Sequence, residues 1–569
     1  MKNLEVAEIF RDVAKILEIK GENVFRIRAY ERGAQNIEAL TEGLESYIKT
    51  DKLTDIPGIG KDLAGEIKEF SKTGKIKVYE NLKKTLPKGL LELLNIPSVG
   101  PKTVKLLSEE LKITNLEALE EAIKNNKLKG VFGIKEKTIE NILKGIQVLK
   151  RGKERMTLAQ ATFVAQEFVN ALEKLPEVKK ISAAGSLRRQ KETVRDIDIL
   201  VISDEPKKIM GAFTRLPLVK DILVEGETKA SVRTSDDVQV DCRVVTQKSF
   251  GAALLYFTGS KNFNIKIRQI AIKMGLKVNE YGVFREERLV AGRAEGEIFK
   301  LLGMGYIEPE MREDTGEIEL AQEFSLPKLI EQKDLKGDLH AHSLWSDGGN
   351  TISEMADAAK KLGYYYIAVA DHSRSLKIAR GLSIADLKKK KREIDKINKS
   401  LKNFRILFGT EVDIDTLGNI DYPDSVLKGF DVVVGAIHSG FRQSSQQLTR
   451  RMLKACKNKY VHILAHPTGR LWGTRDAYGI DLEEVFNAAR GTNTHLEINA
   501  FPNRLDLNAL HCRKAKEMKV KLAINTDSHT TEQLLSMKFG IAVARRGWLA
   551  KEDVINTLPL EKLLKVLKK

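Results

Sequence analysis

The last third of the chain repeats one pattern, a short apolar run that ends in side chains able to bind cations. GDLHAHSLWSDG (337–348) sets His340 and His342 one residue apart, with Asp347 behind them. YYYIAVADH then closes on Asp371 and His372, RILFGTE on Glu411, VVVGAIH on His438, HILAH on His466, HLEIN on Glu497 and Asn499, and LAINTDSH on Asp527 and His529. Helical stretches separate these runs, and alternating strands and helices build a parallel sheet or barrel. Residues i and i+2 of a strand share a face, so His340 and His342 point into one site. In an α/β barrel the carboxyl ends of the strands meet on a single rim, which brings the remaining ligands to the same place.

All 9 histidines fall in this third. His462 and His495 begin their strands, and His511 sits on a helical pattern, so these read as structural. His340, His342, His372, His438, His466 and His529, with Asp347, Glu411 and Asp527, are too many for one tetrahedral ion and suit a cluster of two or three Mn2+ or Zn2+ ions. Clustered cations lower the pKa of a bound water and polarise a phosphoryl group. The basic run Lys388 to Arg392 reads as the solvated face of a helix. With these motifs in order, residues 336–569 resemble a polymerase and histidinol phosphatase (PHP) domain. The resemblance implies a distorted (β/α)7 barrel that hydrolyses phosphoesters. It also implies one ion on His340, His342, Glu411 and Asp527, a second on Glu411, His438 and His466, and a third on Asp347, His372 and His529.

In the middle, AAGSLRRQKETVRDIDILV (183–201) puts Gly185 and Ser186 at a turn and Asp196 and Asp198 on one strand face, while VQVDCRVV adds Asp241. Three carboxylates on adjacent strands can hold two Mg2+ ions roughly 4 Å apart. The Gly-Ser backbone with Arg188 and Arg189 offers a phosphate cradle beside them. YFTGSKNFNIKIR (256–268) follows, and the whole resembles the palm and thumb of a family X DNA polymerase, the group containing DNA polymerase beta. That resemblance implies that Gly185, Ser186 and Arg189 bind an incoming triphosphate. Asp196, Asp198 and Asp241 would be catalytic and hold Mg2+ or Mn2+. Tyr256, Phe257 and Gly259 would line the sugar pocket, and Asn264 and Arg268 would read the minor-groove side of the nascent pair. Lys261 departs from the acidic residue of that relative.

The first third reads as short helices joined by turns. IPGIGKDLAGEI, carrying Gly58 and Gly60, resembles a helix-hairpin-helix whose turn offers backbone N–H groups to DNA phosphates. IPSVGPKTVKLL keeps Gly100 but has Ser98, and FGIKEKTIENI keeps Gly133 but has Lys135. Where the DNA polymerase beta relative forms a Schiff base through a lysine, this chain has Glu66, so sugar-phosphate lyase chemistry would need a neighbour such as Lys68.

The fold class expected is therefore multidomain. N-terminal all-α helix-hairpin-helix domains occupy 1–85 and 86–150, an α+β nucleotidyltransferase palm 151–260 and thumb 261–317, a polar linker 318–335, and the barrel 336–569. A net charge of +18 and a pI near 9.4 point to a polyanionic partner. The N-terminus is amphipathic without a long apolar run, and Cys242, Cys456 and Cys512 lack disulfide or thiolate-zinc spacing. These features imply an intracellular protein with no membrane partner, and with the resemblances a cytoplasmic, nucleoid-associated monomer is expected. It would fill short gaps in gapped or nicked DNA from deoxynucleoside triphosphates during base excision repair. The barrel would act as a 3′-5′ exonuclease and nick abasic sites. The alternative is a template-independent nucleotidyltransferase fused to a small-molecule phosphatase, which would not need the hairpin turns, Asn264 or Arg268. A DNA-binding scaffold with decayed sites would not need the intact ligands.

Overall fold

The computed structural model describes residues 2–568 except 39–43, 57, 88, 97–98, 130, 132–133, 135, 137, 141, 144–145 and 147–154. Ser98, Gly133 and Lys135 thus lie outside the described residues. The chain divides into two compact units, one built on residues 1–153 and the other on most of 154–569.

The first unit is helical throughout its described residues. Helix α1 (Lys2–Lys20) buries Val6, Phe10, Val13 and Leu17 at helical spacing, and Phe10 meets Tyr30 of α2 (Val24–Glu38) edge-on at 5.4 Å. In the first hairpin Ile56 and Ile59 are buried while Gly58 and Gly60 are exposed, so the isoleucines anchor a turn whose glycines face solvent. Gly58 has φ +77°, a conformation that favours glycine. Gly60 caps α3 (Lys61–Thr73), and Gly100 caps α4 (Pro101–Leu111), whose first residue is proline. Val104 and Leu107 of α4 pack with Leu90, Leu93 and Ile19 in a second core.

In the second unit the palm is a five-stranded sheet. Strands β1 (Lys180–Ala183), β2 (Asp196–Ile202), β3 (Val219–Glu225), β4 (Lys229–Thr234) and β5 (Gln239–Val245) lie in the order β1-β2-β5-β4-β3. Only the β2-β5 pair is parallel, and its register sets Asp198 opposite Asp241. Helix α5 (Leu158–Glu173) starts at a capping box between Thr157 and Gln160 and buries Leu158, Ala161, Ala165, Phe168 and Leu172. Helices α6 (Phe250–Thr258) and α7 (Lys261–Lys273) lead into the thumb with its small antiparallel sheet, Lys277–Asn279, Gly282–Arg285 and Arg288–Ala291.

The remaining strands are β6 (Gly337–Ala341), β7 (Tyr366–Val369), β8 (Arg405–Asp413), β9 (Val432–Ala436), β10 (Ile463–Leu464), β11 (His495–Asn499) and β12 (Leu522–Asn525). They pair in chain order, all parallel. A parallel bridge between Ala341 and Ser528, with the His342 N–H donating to the Ser528 carbonyl at 2.7 Å, closes the ring. This is the distorted seven-stranded barrel expected, and each strand sits at the predicted apolar run.

Three expectations change. Residues 318–335 are not a polar spacer: Ile318, Ala321, Leu329, Ile330 and Leu335 are buried. Ile318, Ala321 and Leu329 join the thumb core, which also takes Trp548, and Ile330 and Leu335 join the core of palm and barrel. Strand β3 was not foreseen, because its residues beyond Val219 are exposed and carry no buried alternation. Lys390, read as solvated, is fully buried on α8 (Ile384–Ser400). Its ammonium donates to the carbonyls of Val369 and Gly409 and lies 2.8 Å from Asp371, so it ties the end of β7 to the middle of β8.

Candidate active sites of the palm and the barrel

A cavity of about 520 Å³ in the palm is lined by Gly185, Ser186, Arg189, Asp196, Asp198, Tyr256, Phe257, Gly259, Lys261, Asn264 and Arg268. Of the palm and thumb residues expected in the nucleotide site, Arg188 and Asp241 do not line it, and the β-sheet register places Asp241 beside Asp198. Gly185 has φ +62°, and a Cβ there would come within 2.3 Å of Asp198 Oδ2. Glycine thus lets the phosphate-type turn approach the carboxylates. Burial pushes the Asp198 carboxyl up to about 7, and the neighbouring Asp196 and Asp241 charges push the same way. A buried carboxyl raised by two flanking carboxylates belongs to a donor set that a divalent cation would satisfy.

Around the carboxylates the side chains are ordered. Asn264 Nδ2 donates to the Tyr256 carbonyl at 2.6 Å, and Arg268 Nε donates to the Asn264 carbonyl at 3.2 Å. The Tyr256 and Phe257 rings meet edge-on at 5.1 Å, with Tyr256 partly exposed. Arg188 corrects the sequence reading. It forks onto Glu295, donating at 2.8 and 2.6 Å, and also donates to Thr258, so of the two arginines only Arg189 lines the cavity. Burial would raise the Glu295 carboxyl, but Arg188 and Arg312 draw it down to about 2.

At the barrel rim the expected ligands converge. Ligand atoms fall within 4.8 Å of one another in three groups: His342, Asp347, His372 and His529; His340, His342 and Asp527; and His372, Glu411 and His438. His466 Nε2 joins through Glu411 Oε1 at 3.1 Å. The nine ligands therefore meet, although His342 and His372 each belong to two groups rather than to one ion. Glu411 Oε2 is buried without a hydrogen-bond donor, yet lies 2.8 Å from His372 Nδ1, 3.5 Å from His340 Nε2 and 3.7 Å from His342 Nε2. An oxygen so placed fits a cation shared with imidazole nitrogens. His462 and His495 stay outside the cluster, and His462 Nδ1 accepts from the Val433 N–H at 3.0 Å.

Two residues take parts in this site that the sequence reading does not assign: Glu497, which it names only as a ligand-capable strand end, and Arg504, which it does not name. Glu497 Oε1 lies 2.7 Å from His340 Nδ1, and Glu497 Oε2 accepts from the His466 N–H at 2.8 Å. A carboxylate behind a ligating histidine fixes its tautomer and orientation. Burial would lower the His340 imidazole, but Glu497, Glu411 and Asp527 together raise it well above its ordinary value. Arg504 lies in the loop after β11, with Nε 3.6 Å from Asp527 Oδ2 and Nη1 buried without a hydrogen-bond partner. A guanidinium beside clustered cation ligands suits an anionic substrate. The strand pattern marks Glu497 as ligand-capable but not as the partner of His340, whereas no periodicity marks Arg504.

In the first unit, Tyr30 Oη donates to Glu66 Oε1 at 2.6 Å, and burial raises the Glu66 carboxyl. The Lys68 ammonium, on the same helix, is paired with Asp51.

Family models match four stretches: a helix-hairpin-helix domain at 1–76, a SAM-like helix-hairpin-helix tandem at 90–147, a DNA polymerase beta thumb at 253–313, and a PHP domain at 338–499. DNA polymerase lambda of Rattus norvegicus is 25% identical over 342 residues, 55% of this chain and 56% of that one. A probable phosphatase of Thermoanaerobacter sp. (strain X514) is 30% identical over 232 residues, 39% of this chain and 89% of that one. The DNA polymerase/3′-5′ exonuclease PolX of Bacillus subtilis (strain 168) is 40% identical over 573 residues, 100% of both chains. Joined to the palm carboxylates and the barrel cluster, that full-length match makes the chain a member of the bacterial family X DNA polymerases that carry a PHP 3′-5′ exonuclease domain.

Proposed function

We propose that the protein fills short gaps in DNA during repair and trims 3′ ends, with each reaction run at its own cation site. In the palm, Asp196, Asp198 and Asp241 would hold Mg2+ or Mn2+. Gly185, Ser186 and Arg189 would take the triphosphate of an incoming deoxynucleotide. Tyr256, Phe257 and Gly259 shape the sugar pocket, and Asn264 and Arg268 face the nascent pair. Bound divalent cations at either site supply Lewis acidity for the phosphoryl centre and charge to stabilise the departing oxygen. The chain's own groups orient and neutralise: the turn at Gly185 brings backbone donors against the carboxylates, and Arg189 offers a planar guanidinium to phosphate oxygens.

In the barrel, His340, His342, Asp347, His372, Glu411, His438, His466, Asp527 and His529 would hold two or three Mn2+ or Zn2+ ions. Glu497 orients His340, and Arg504 receives the phosphate of the 3′-terminal nucleotide. Gly58, Gly60 and Gly100, at helix N-termini, would grip the DNA backbone without reading sequence. The substrate would be gapped or nicked DNA, met by a monomer at the nucleoid in the cytoplasm. Abasic-site nicking would fall to the barrel as well.

The observation that carries this reading is the cavity in which Ser186, Arg189, Asn264 and Arg268 surround Asp196 and Asp198. A small-molecule nucleotidyltransferase would not need the groups facing a base pair. A 5′-labelled gapped duplex incubated in Mn2+ tests it. Lengthening by the gap size with nucleotides and shortening from the 3′ end without them are expected. Template-independent tailing would favour the alternative enzyme.

A further inference from the structure

The loop that follows β1 carries Ser186 and Arg189 and ends at Glu192, and two arginines from the barrel half of the chain hold it. Arg546 closes α9 (Met537–Arg546) and is 11% exposed. Its Nη1 donates to the carbonyl oxygen of Arg189 at 2.6 Å, and its Nη2 donates to Glu313 Oε1 at 3.1 Å. The same Glu313 oxygen accepts from Arg189 Nε at 3.1 Å. At the far end of the loop, Arg470 Nη1 donates to Glu192 Oε2 at 2.9 Å. Arg470 also holds the carbonyls of Arg504 and Leu505, beside the barrel's cation cluster.

Arg546 therefore touches Arg189 twice, directly at its backbone and through Glu313 at its guanidinium. Burial would raise the Glu313 carboxyl, but Arg189, Arg546 and Lys191 hold it below the usual carboxylate range, so it stays ionised. An ionised carboxylate shared among several cations restrains each of them less than it would restrain one alone. Without Arg546, Glu313 would pair with Arg189 more exclusively and draw its guanidinium away from an arriving triphosphate. The Arg189 carbonyl would lose its donor at the same time. Both changes weaken the grip on phosphate.

We propose that Arg546, a residue of the phosphoesterase half, is a positioning residue of the polymerase reaction that sets Arg189 for the triphosphate. The C-terminal half is then part of the nucleotide site as well as a hydrolase attached to it. The proposal rests on the assignment of Arg189 to the triphosphate made above.

Single-nucleotide gap filling by the full chain tests it, using R546Q, R546K, R189Q and the double variant R546Q/R189Q. R546Q should raise KM for the deoxynucleotide by about tenfold while kcat changes by no more than about twofold. The inhibition constant of inorganic pyrophosphate should rise by the same factor. Hydrolysis at 3′ ends and affinity for gapped DNA should stay at wild-type values, which also reports that the variant is folded. R546K, which keeps one donor for the Arg189 carbonyl, should recover part of the loss and serves as the reporter if R546Q does not fold. The double variant should be little worse than R189Q, because Arg546 acts through Arg189. If R189Q raises KM and R546Q, or R546K where R546Q does not fold, leaves both KM and pyrophosphate inhibition unchanged, the proposal is overturned. An equal fall in extension and hydrolysis would also overturn it, since that pattern belongs to a merely structural arginine. An unaltered R189Q would instead overturn the underlying assignment of Arg189.

Discussion

The palm and the barrel both gather cation ligands, but by opposite electrostatic arrangements. The palm sets Asp196 and Asp198 on a cavity with Asp241 beside them on the next strand, and burial together with the Asp196 and Asp241 charges lifts Asp198 to about 7. The barrel interleaves acids and imidazoles in a buried rim. There Glu411 and Asp527, which burial alone would raise, are held well below ordinary carboxylates by the surrounding histidines. In the barrel the neighbouring imidazoles keep Glu411 and Asp527 ionised, whereas in the palm Asp198 is pushed toward its neutral form and an outside cation would reverse that push. The contrast teaches that two metal-dependent sites in one chain can differ in how much of their assembly depends on the ion.

The largest effect that could break this comparison is loss of one activity alone. Asp241→Ala should cut primer extension by at least about a thousandfold and spare 3′ hydrolysis, and His340→Ala should do the reverse. Loss of both activities in either variant, read on one labelled gapped duplex, would contradict two independent sites. Next in size, Glu497→Gln removes the carboxylate behind His340. Hydrolysis at limiting Mn2+ should fall about 10- to 100-fold, recover as Mn2+ is raised, and leave extension unchanged.

A smaller effect concerns stability against pH. The folded Asp198 carboxyl lies above its unfolded value, so the folded state binds the extra proton between about pH 4 and pH 7. In chelator, stability should therefore fall as pH rises through that window, by at most about 1.4 kcal/mol per pH unit from this residue. Asp198→Asn should remove its share of the slope, and Mg2+ should offset it in the wild type. Denaturant unfolding at several pH values measures this, and a variant with an unaltered slope would show that the carboxylates are not in conflict. If the hairpin turns grip the DNA for both reactions, as proposed, salt should act on both equally. Raising salt from about 50 to 200 mM at subsaturating DNA should weaken extension and hydrolysis by one common factor. The smallest expected effect is none. Borohydride should trap no covalent adduct with a 5′-deoxyribose phosphate end, since Glu66 is engaged by Tyr30 and Lys68 is paired with Asp51.

Much of this was legible in the sequence because strands have a short period. Apolar runs ending in His, Asp or Glu named all seven barrel strands, and alternation put His340 and His342 on one face. The same logic placed Asp196 and Asp198 together. What escaped depends on contacts between distant segments. Lys390 sits among exposed lysines in sequence, and only the packing of α8 against β7 and β8 buries it. Arg188 and Arg189 are neighbours, yet Glu295 claims the first and the cavity keeps the second. Arg504 lies in a loop with no periodicity to mark it. Residues 318–335 mix polar and apolar side chains enough to read as a spacer, yet Ile318, Ala321, Leu329, Ile330 and Leu335 pack while Phe324 stays exposed.

The central claim is that two separate cation sites exist, one acidic and one rich in imidazole. Anomalous diffraction from crystals of the full chain grown with Mn2+ tests it most directly. The account predicts scattering peaks beside Asp198 and Asp241 and a separate cluster around Glu411. Peaks at only one of these places, or peaks away from both, would contradict it.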